Sequence, residues 1–252
     1  MTVVSRTDPE CMLARKSVRL PGGGRVLVYP PEAWARMSAL RVHARIARVL
    51  AELGECSVAL TGGRSAAALY SEWAKLPGFR TLNNVFFYFG DERCVAPDHP
   101  ESNFGLAMRT LFADGVPDGC SAIRMEAESE DREAASICYA KKLPSEVDVL
   151  LLGVGADGHI ASIFPGDPAA RERGRRVLAV VGEQPPAIPR LTITSSVVAE
   201  AKYIFVLAPG KSKSAVLRKA VCAPDHVDAF PARLTLRGEW FIDEDLGELN
   251  EM

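Results

Sequence analysis

The chain has 252 residues, 48% of them apolar and 25% charged, with a formal net charge of −2. That length supports a substantial buried core, and the near-neutral balance argues against nucleic acid as a main partner. No apolar run is long enough to span a bilayer, and "MTVVSRTDPECMLARKSVRL" lacks the apolar centre of a secretory signal, so neither membrane nor export is expected and the cytoplasm is the expected compartment. The six cysteines, Cys11, Cys56, Cys94, Cys120, Cys138 and Cys222, are scattered without a C-x-x-C pair. They read as reduced thiols, with no zinc site and no redox motif.

In chain order, "RVLVY" (25–29) reads as a strand closed by Pro30-Pro31. Residues 32–53 carry apolar positions at helical spacing and end at Gly54, a helix stop. "CSVAL" (56–60) is a short apolar strand, and "RSAAALYSEWAKL" (64–76) a helix ended by Pro77-Gly78. The alternation continues with a strand at 84–90, a helix at 102–112 with Ser102 as N-cap, and a helix at 130–143. Strands follow at 147–155, 176–181 and 202–208, and a helix at 211–221. Strands alternating with helices predict a layered α/β fold, a mostly parallel sheet flanked by helices. No linker interrupts the pattern, so one domain spans 1–252, with 1–20 as an N-terminal extension that is loosely ordered.

In such folds the ligand crevice lies beyond the carboxyl ends of the strands. Four strand ends there carry chemistry. At the first, Thr61-Gly62-Gly63-Arg64-Ser65 runs from a strand into a helix. Glycines that admit close approach and a helix N-terminus suit a phosphate, and Arg64 adds charge; the simpler reading is an ordinary turn. At the second, Gly90-Asp91-Glu92-Arg93 closes an unusually apolar strand, where its charges either face the crevice or form a solvated turn.

The third is "GVGADGHIASIFPG" (153–166), which spells G-x-G-x-x-G after a strand. A dinucleotide fingerprint needs a regular helix after the glycines. Pro165 and Pro168 truncate any such helix, and Asp157 inside the turn would repel a pyrophosphate. Glu183 after the next strand is only a weak match to a ribose-binding acid. His159 beside Asp157 suits proton transfer near neutral pH, against the simpler reading of a structural imidazole. The fourth stretch holds Arg190 and, after Gly210, Lys211 and Lys213, which are either two arms of a phosphate clamp or surface cations. Together these ends describe an enzyme acting on a small phosphorylated metabolite.

The segments "LTGGRSA", "FGDERCVAPDHPESNFG", "VDVLLLGVGADGHIASIFPG", "PRLTIT", "VLAPGKSK" and "FPARL…GEWFIDEDL" occur in this order over nearly the whole chain. In them the chain resembles the 6-phosphogluconolactonase family. The resemblance implies a three-layer Rossmann-like fold related to sugar-phosphate isomerases. It also implies hydrolysis of 6-phospho-D-glucono-1,5-lactone in the oxidative pentose phosphate pathway, without metal or cofactor. The related glucosamine-6-phosphate deaminases share G-x-G-x-D-G-H but continue Phe-Asn-Glu-Pro; here Phe164 stands in place of that glutamate. The alternatives are such a deaminase or isomerase, or a non-catalytic sugar-phosphate sensor.

Carried over residue by residue, the resemblance makes His159 the general base, Asp157 its orienting acid, and Asp91 a site acid that binds hydroxyls or positions water. Gly62, Gly63, Arg64, Ser65, Arg93, Arg190 and Lys213 form the phosphate set, with Lys213 a better match than Lys211. An N–H near Gly155 or a nearby cation is the candidate oxyanion donor. The family loop reads Ser-Gly-Gly-Ser-Thr, so Arg64 departs from it and its side-chain role is open.

Overall fold

A computed structural model describes residues 14–181, 187–222 and 226–243. Cys11, Glu183 and the end of the closing motif lie outside them. An eight-stranded sheet runs in the order β1-β2-β11-β10-β7-β3-β4-β6. Its strands are β1 (Lys16–Arg19), β2 (Arg25–Val28), β3 (Cys56–Leu60), β4 (Val85–Phe89), β6 (Ser121–Ala122), β7 (Val149–Gly153), β10 (Tyr203–Leu207) and β11 (Glu239–Ile242). All neighbours pair in parallel except β1 and β2.

Alternate residues of β7 feed opposite faces. Val149 and Leu151 pack towards α1 (Trp34–Leu53), α2 (Arg64–Trp73) and α3 (Asn103–Thr110). Leu150 and Leu152 pack towards α4 (Arg132–Lys142), α6 (Ser195–Glu200) and α7 (Lys211–Cys222). A strand covered on both sides has no polar face, which is why β3 and β7 read as unbroken apolar runs. The helix ends follow their local chemistry. Gly54 closes α1 in the left-handed conformation, its N–H donating to Leu50 O. Ser102 accepts from Gly105 N at the start of α3.

The structure departs from the sequence reading in how its strands are arranged. The segment at 176–181 forms β8 (Val177–Val181), but not in the main sheet. It joins β9 (Pro189–Ile193) and β5 (Asp91–Arg93) in a separate antiparallel sheet. The connection from β8 to β9 is too short for a crossover helix, so the chain can only turn back on itself. The expected N-terminal extension is also a strand by Lys16, paired with Val28.

β3 and β7 are adjacent, and the chain leaves them in opposite directions, to β4 and β6 on one side and to β10 and β11 on the other. This is the switch point at which a crevice opens. At the amino end of the same pair, Asp148 accepts from Ser57 N at 2.8 Å, Ser57 Oγ at 2.7 Å and Lys202 Nζ at 2.7 Å. Burial alone pushes this carboxyl up, but the hydrogen bonds from Lys202 and Ser57 outweigh it and hold it below the usual aspartate range. A depressed carboxyl stabilises the fold above its unfolded-state value of about 3.9 and ceases to do so as pH falls through its folded value. Asp148→Asn is therefore expected to cost about 1–3 kcal/mol of unfolding free energy at neutral pH. The gap from the parent should narrow below about pH 4 in urea titrations; a gap independent of pH would contradict the assignment.

Candidate active site

A cavity of about 340 Å³ opens at the switch point, between the loops that follow β3 and β7. One wall is the β3–α2 junction. Gly63 is the N-cap of α2, at φ 90°, and no side chain caps the helix. The first-turn amides of α2 are thus left to a ligand, and Gly62, Gly63, Arg64 and Ser65 all line the cavity. Gly62 has a steric reason as well, since a Cβ there would strike the side chain of Asn103. The buried Tyr70 hydroxyl holds the junction, accepting from Thr61 N and donating to Thr61 O. Arg64 is exposed at the cavity rim.

The second wall comes from the antiparallel sheet. β5 and β9 pair so that Arg93 lies directly opposite Arg190. Like charges directly across a strand pair repel. Both guanidinium groups line the cavity, and the Nε of each is buried without a hydrogen-bond partner among the described residues. Burial pushes the Arg190 guanidinium down, Arg93 adds to that, and Asp91 opposes it. Such a pair is built to meet an anion.

Asp91 lies at the foot of this pair and is 5% exposed. Its Oδ2 accepts from Ser162 Oγ at 2.6 Å and its Oδ1 from Asn103 Nδ2 at 3.1 Å. Arg190 Nη1 donates to Ser162 Oγ at 3.3 Å, and Arg93 Nη1 to Asn103 Oδ1 at 3.0 Å. Each arginine is therefore tied to the same carboxylate through one neutral side chain. Glu92 is not a solvated turn residue either. It is buried and accepts from Asn103 N, Phe104 N, Arg93 N and Ser102 Oγ, pinning the start of α3. Burial raises its carboxyl, and the backbone hydrogen bonds oppose the rise.

The third wall is the turn after β7. Gly155 N donates to His159 O at 2.8 Å and Gly158 N to Gly155 O at 3.1 Å, closing a tight loop. Asp157 Oδ1 receives His159 N at 3.2 Å and lies 2.7 Å from His159 Nδ1. With Nδ1 as donor to that carboxylate, Nε2 of the neutral ring is the nitrogen left for chemistry. His159 lines the cavity; Asp157 stands behind it. A Cβ on Gly155 would strike the imidazole, and one on Gly158, at φ 91°, would strike the ring of Phe230. No regular helix follows: the next is α5 (Pro168–Arg171), a single turn, as the two prolines require. The ring of Phe164 lies 4.9 Å from that of His159, and Arg190 stands over its other neighbourhood at 5.7 Å.

Lys213 enters from the first turn of α7, and its Nζ donates to Val154 O. Burial lowers its ammonium, Asp157 raises it and Arg64 lowers it further. Lys211, its rival in sequence, is exposed and outside the cavity wall. The N–H of Gly155, an expected oxyanion donor, is instead spent on His159 O.

All of the expected phosphate set thus meets at one cavity, together with His159 and Asp91. Asn103 and Ser162 were not anticipated. Both lie inside motifs read for other residues, and only the fold shows that their side chains bridge an acid to the two arginines. Among the described residues, no group of three or more His, Cys, Asp or Glu is placed to hold a metal, and no helix is long and apolar enough to cross a membrane.

Residues 30–242 match the family model described as glucosamine-6-phosphate isomerases/6-phosphogluconolactonase. The 6-phosphogluconolactonase of Streptomyces coelicolor is 32% identical over 232 residues, 84% of this chain and 88% of the relative. That of Rattus norvegicus is 31% identical, covering 89% and 93%. The crystal structure of 6-phosphogluconolactonase from Leishmania guyanensis superposes with a TM-score of 0.74 at 27% identity, covering 89% of this chain and 97% of that one. The chain belongs to the family of glucosamine-6-phosphate isomerases and 6-phosphogluconolactonases, and stands among its 6-phosphogluconolactonases.

Proposed function

We propose that this protein hydrolyses the ester of 6-phospho-D-glucono-1,5-lactone to 6-phosphogluconate, the second step of the oxidative pentose phosphate pathway. The observation that carries the reading is one cavity with a carboxylate-oriented imidazole on one wall and the opposed Arg93–Arg190 pair on another. A phosphorylated lactone needs both ends: a base at the carbonyl carbon and cations at the phosphate. The family and its lactonase relatives supply the substrate class.

His159 Nε2 takes a proton from water as its oxygen attacks C1 of the lactone. The carbonyl becomes a tetrahedral oxyanion, and Asp157 stabilises the imidazolium formed beside it. The intermediate collapses as the bond from C1 to the ring oxygen breaks, and the imidazolium returns its proton to that oxygen. The product is the open acid, which ionises. Asp91 acts as a positioning residue: both of its oxygens are engaged by side chains that hold Arg93 and Arg190. The phosphate is held by those arginines, Lys213 and the first-turn amides of α2, with Arg64 at the rim.

Phe164 separates this chemistry from deamination. Its ring fills the space beside the imidazole where a second carboxylate would assist ring opening. Cys56, Cys94, Cys120 and Cys138 are free thiols, in keeping with a cytoplasmic enzyme.

The direct experiment follows lactone hydrolysis immediately after the lactone is generated enzymatically, against a no-enzyme control. Hydrolysis well above that control is expected, with no ammonia released from glucosamine 6-phosphate. Ammonia release would establish the deaminase, and phosphosugar binding without turnover the sensor. His159→Asn should lower kcat by about 10²–10⁴-fold while the melting temperature stays near the parent value; a near-normal kcat removes the base assignment. Arg190→Ala should cost about 10–100-fold in kcat/KM on the phosphorylated lactone. Unphosphorylated gluconolactone should be nearly unaffected, and equal losses on both would sink the phosphate role.

A further inference from the structure

A second cleft, of about 160 Å³, lies at the other end of the main sheet, where β2, β10 and β11 begin. It shares no lining residue with the active-site cavity. Its walls carry Arg25, Arg45, Lys202 and Arg237 against one acid, Glu239.

The ion pairs around it commit its acids to other cations. Glu239 is committed to Arg41 in a two-pronged pair, with Nε to Oε2 and Nη2 to Oε1 both 2.8 Å. Lys202 is neutralised by Asp148 at 2.7 Å and Glu146 at 3.5 Å. Arg237 is steadied by the backbone carbonyls of Val198, Ala199 and Ala201, which bring no formal charge. Arg45 lies over the ring of Tyr203, 4.1 Å from its centroid, and its Nε is buried without a hydrogen-bond partner. Among the described residues, none of Arg25, Arg45 and Arg237 forms a salt bridge; Arg237 feels the charge of Glu146, which is itself paired with Lys202, and Arg25 lies opposite Glu239, which is held by Arg41.

Three arginines line this one small cleft, and the acid in its wall is already committed to Arg41, so their donors are available to an anion. The stacking of Arg45 on Tyr203 and the carbonyl ties of Arg237 hold two of the three in place before any ligand arrives. We infer that this cleft is a second anion site, which takes the phosphoryl group of a small phosphate monoester at the amino ends of β2, β10 and β11. Phosphate fits better than carboxylate, because three peripheral oxygens match three guanidinium forks whereas a carboxylate offers two. The volume admits a phosphoryl group and a few further atoms, so the rest of the ligand projects into solvent. Bound there, a dianion would clamp α1, which carries Arg45, to β2 and to the turn before β11. The assignment stands apart from the lactonase reading and survives its failure.

The test titrates inorganic phosphate into the full-length protein by calorimetry, with chloride at matched ionic strength as control. Two equivalents are expected. The Arg190→Ala Lys213→Ala double variant should lose one and keep the other. Arg25→Ala and Arg45→Ala should each weaken the second by about tenfold or more, with lactone hydrolysis and circular dichroism like the parent. Should Arg45→Ala fail to fold, Arg25→Ala alone decides the matter, since it leaves the Arg45–Tyr203 stack in place. Overturning results are phosphate binding abolished by the Arg190→Ala Lys213→Ala pair, phosphate binding unchanged in the folded Arg25→Ala and Arg45→Ala variants, or an equal response to chloride.

Discussion

The hydrogen bond between Asp157 Oδ1 and His159 Nδ1, at 2.7 Å, is the interaction around which the site is arranged. It sets which imidazole nitrogen carries the proton and so which one can accept another. The backbone is bent to permit it. Gly155 has no side chain because the imidazole occupies the space where one would be, and Gly158 takes a left-handed conformation under the ring of Phe230. Ala232 N reaches back to Gly158 O, so the segment after α7 also holds the turn in shape. A nucleotide-binding loop has glycines so that phosphate can approach the backbone. Here the glycines allow a side chain to fold back over its own turn.

The second constraint is electrostatic. Pairing β5 with β9 forces Arg93 and Arg190 together, which is unfavourable without an anion between them. Asp91 offsets that repulsion from below, acting through Ser162 and Asn103 rather than by direct close contact; its distance to Arg190 is 3.9 Å. The same three side chains keep the two guanidinium groups oriented towards the cavity. Fixed charges of this kind need little reorganisation to meet an anion. His159 and the two arginines thus come from different sheets, and the switch point between β3 and β7 is where they meet.

Much of this was legible in the sequence. The apolar runs at 56–60 and 147–155 marked the two central strands because strands buried on both faces have no polar positions to obscure them. Gly54 and Ser102 marked helix ends because capping is a local matter, settled within a few residues. The glycine loop at 61–65 and the turn at 153–159 could be singled out for the same reason, since each lies in one contiguous stretch, and both line the cavity. The antiparallel sheet was not, because β5 and β9 are far apart in sequence and their pairing leaves no local trace. With it went the opposition of Arg93 and Arg190 and the bridging roles of Asn103 and Ser162, which exist only once that pairing has formed. β11 was missed because "EWFI" is only four residues long and its partners, β2 and β10, are distant in sequence.

The account rests most heavily on the protonation pattern of one ring. With ¹⁵N-labelled histidine and the His159→Asn variant to assign the signal, NMR at a pH where the imidazole is neutral reports its tautomer directly. The account predicts a proton on Nδ1 and a bare Nε2, with that preference lost in Asp157→Ala. A proton on Nε2 in the parent, or a tautomer indifferent to the loss of Asp157, would contradict it.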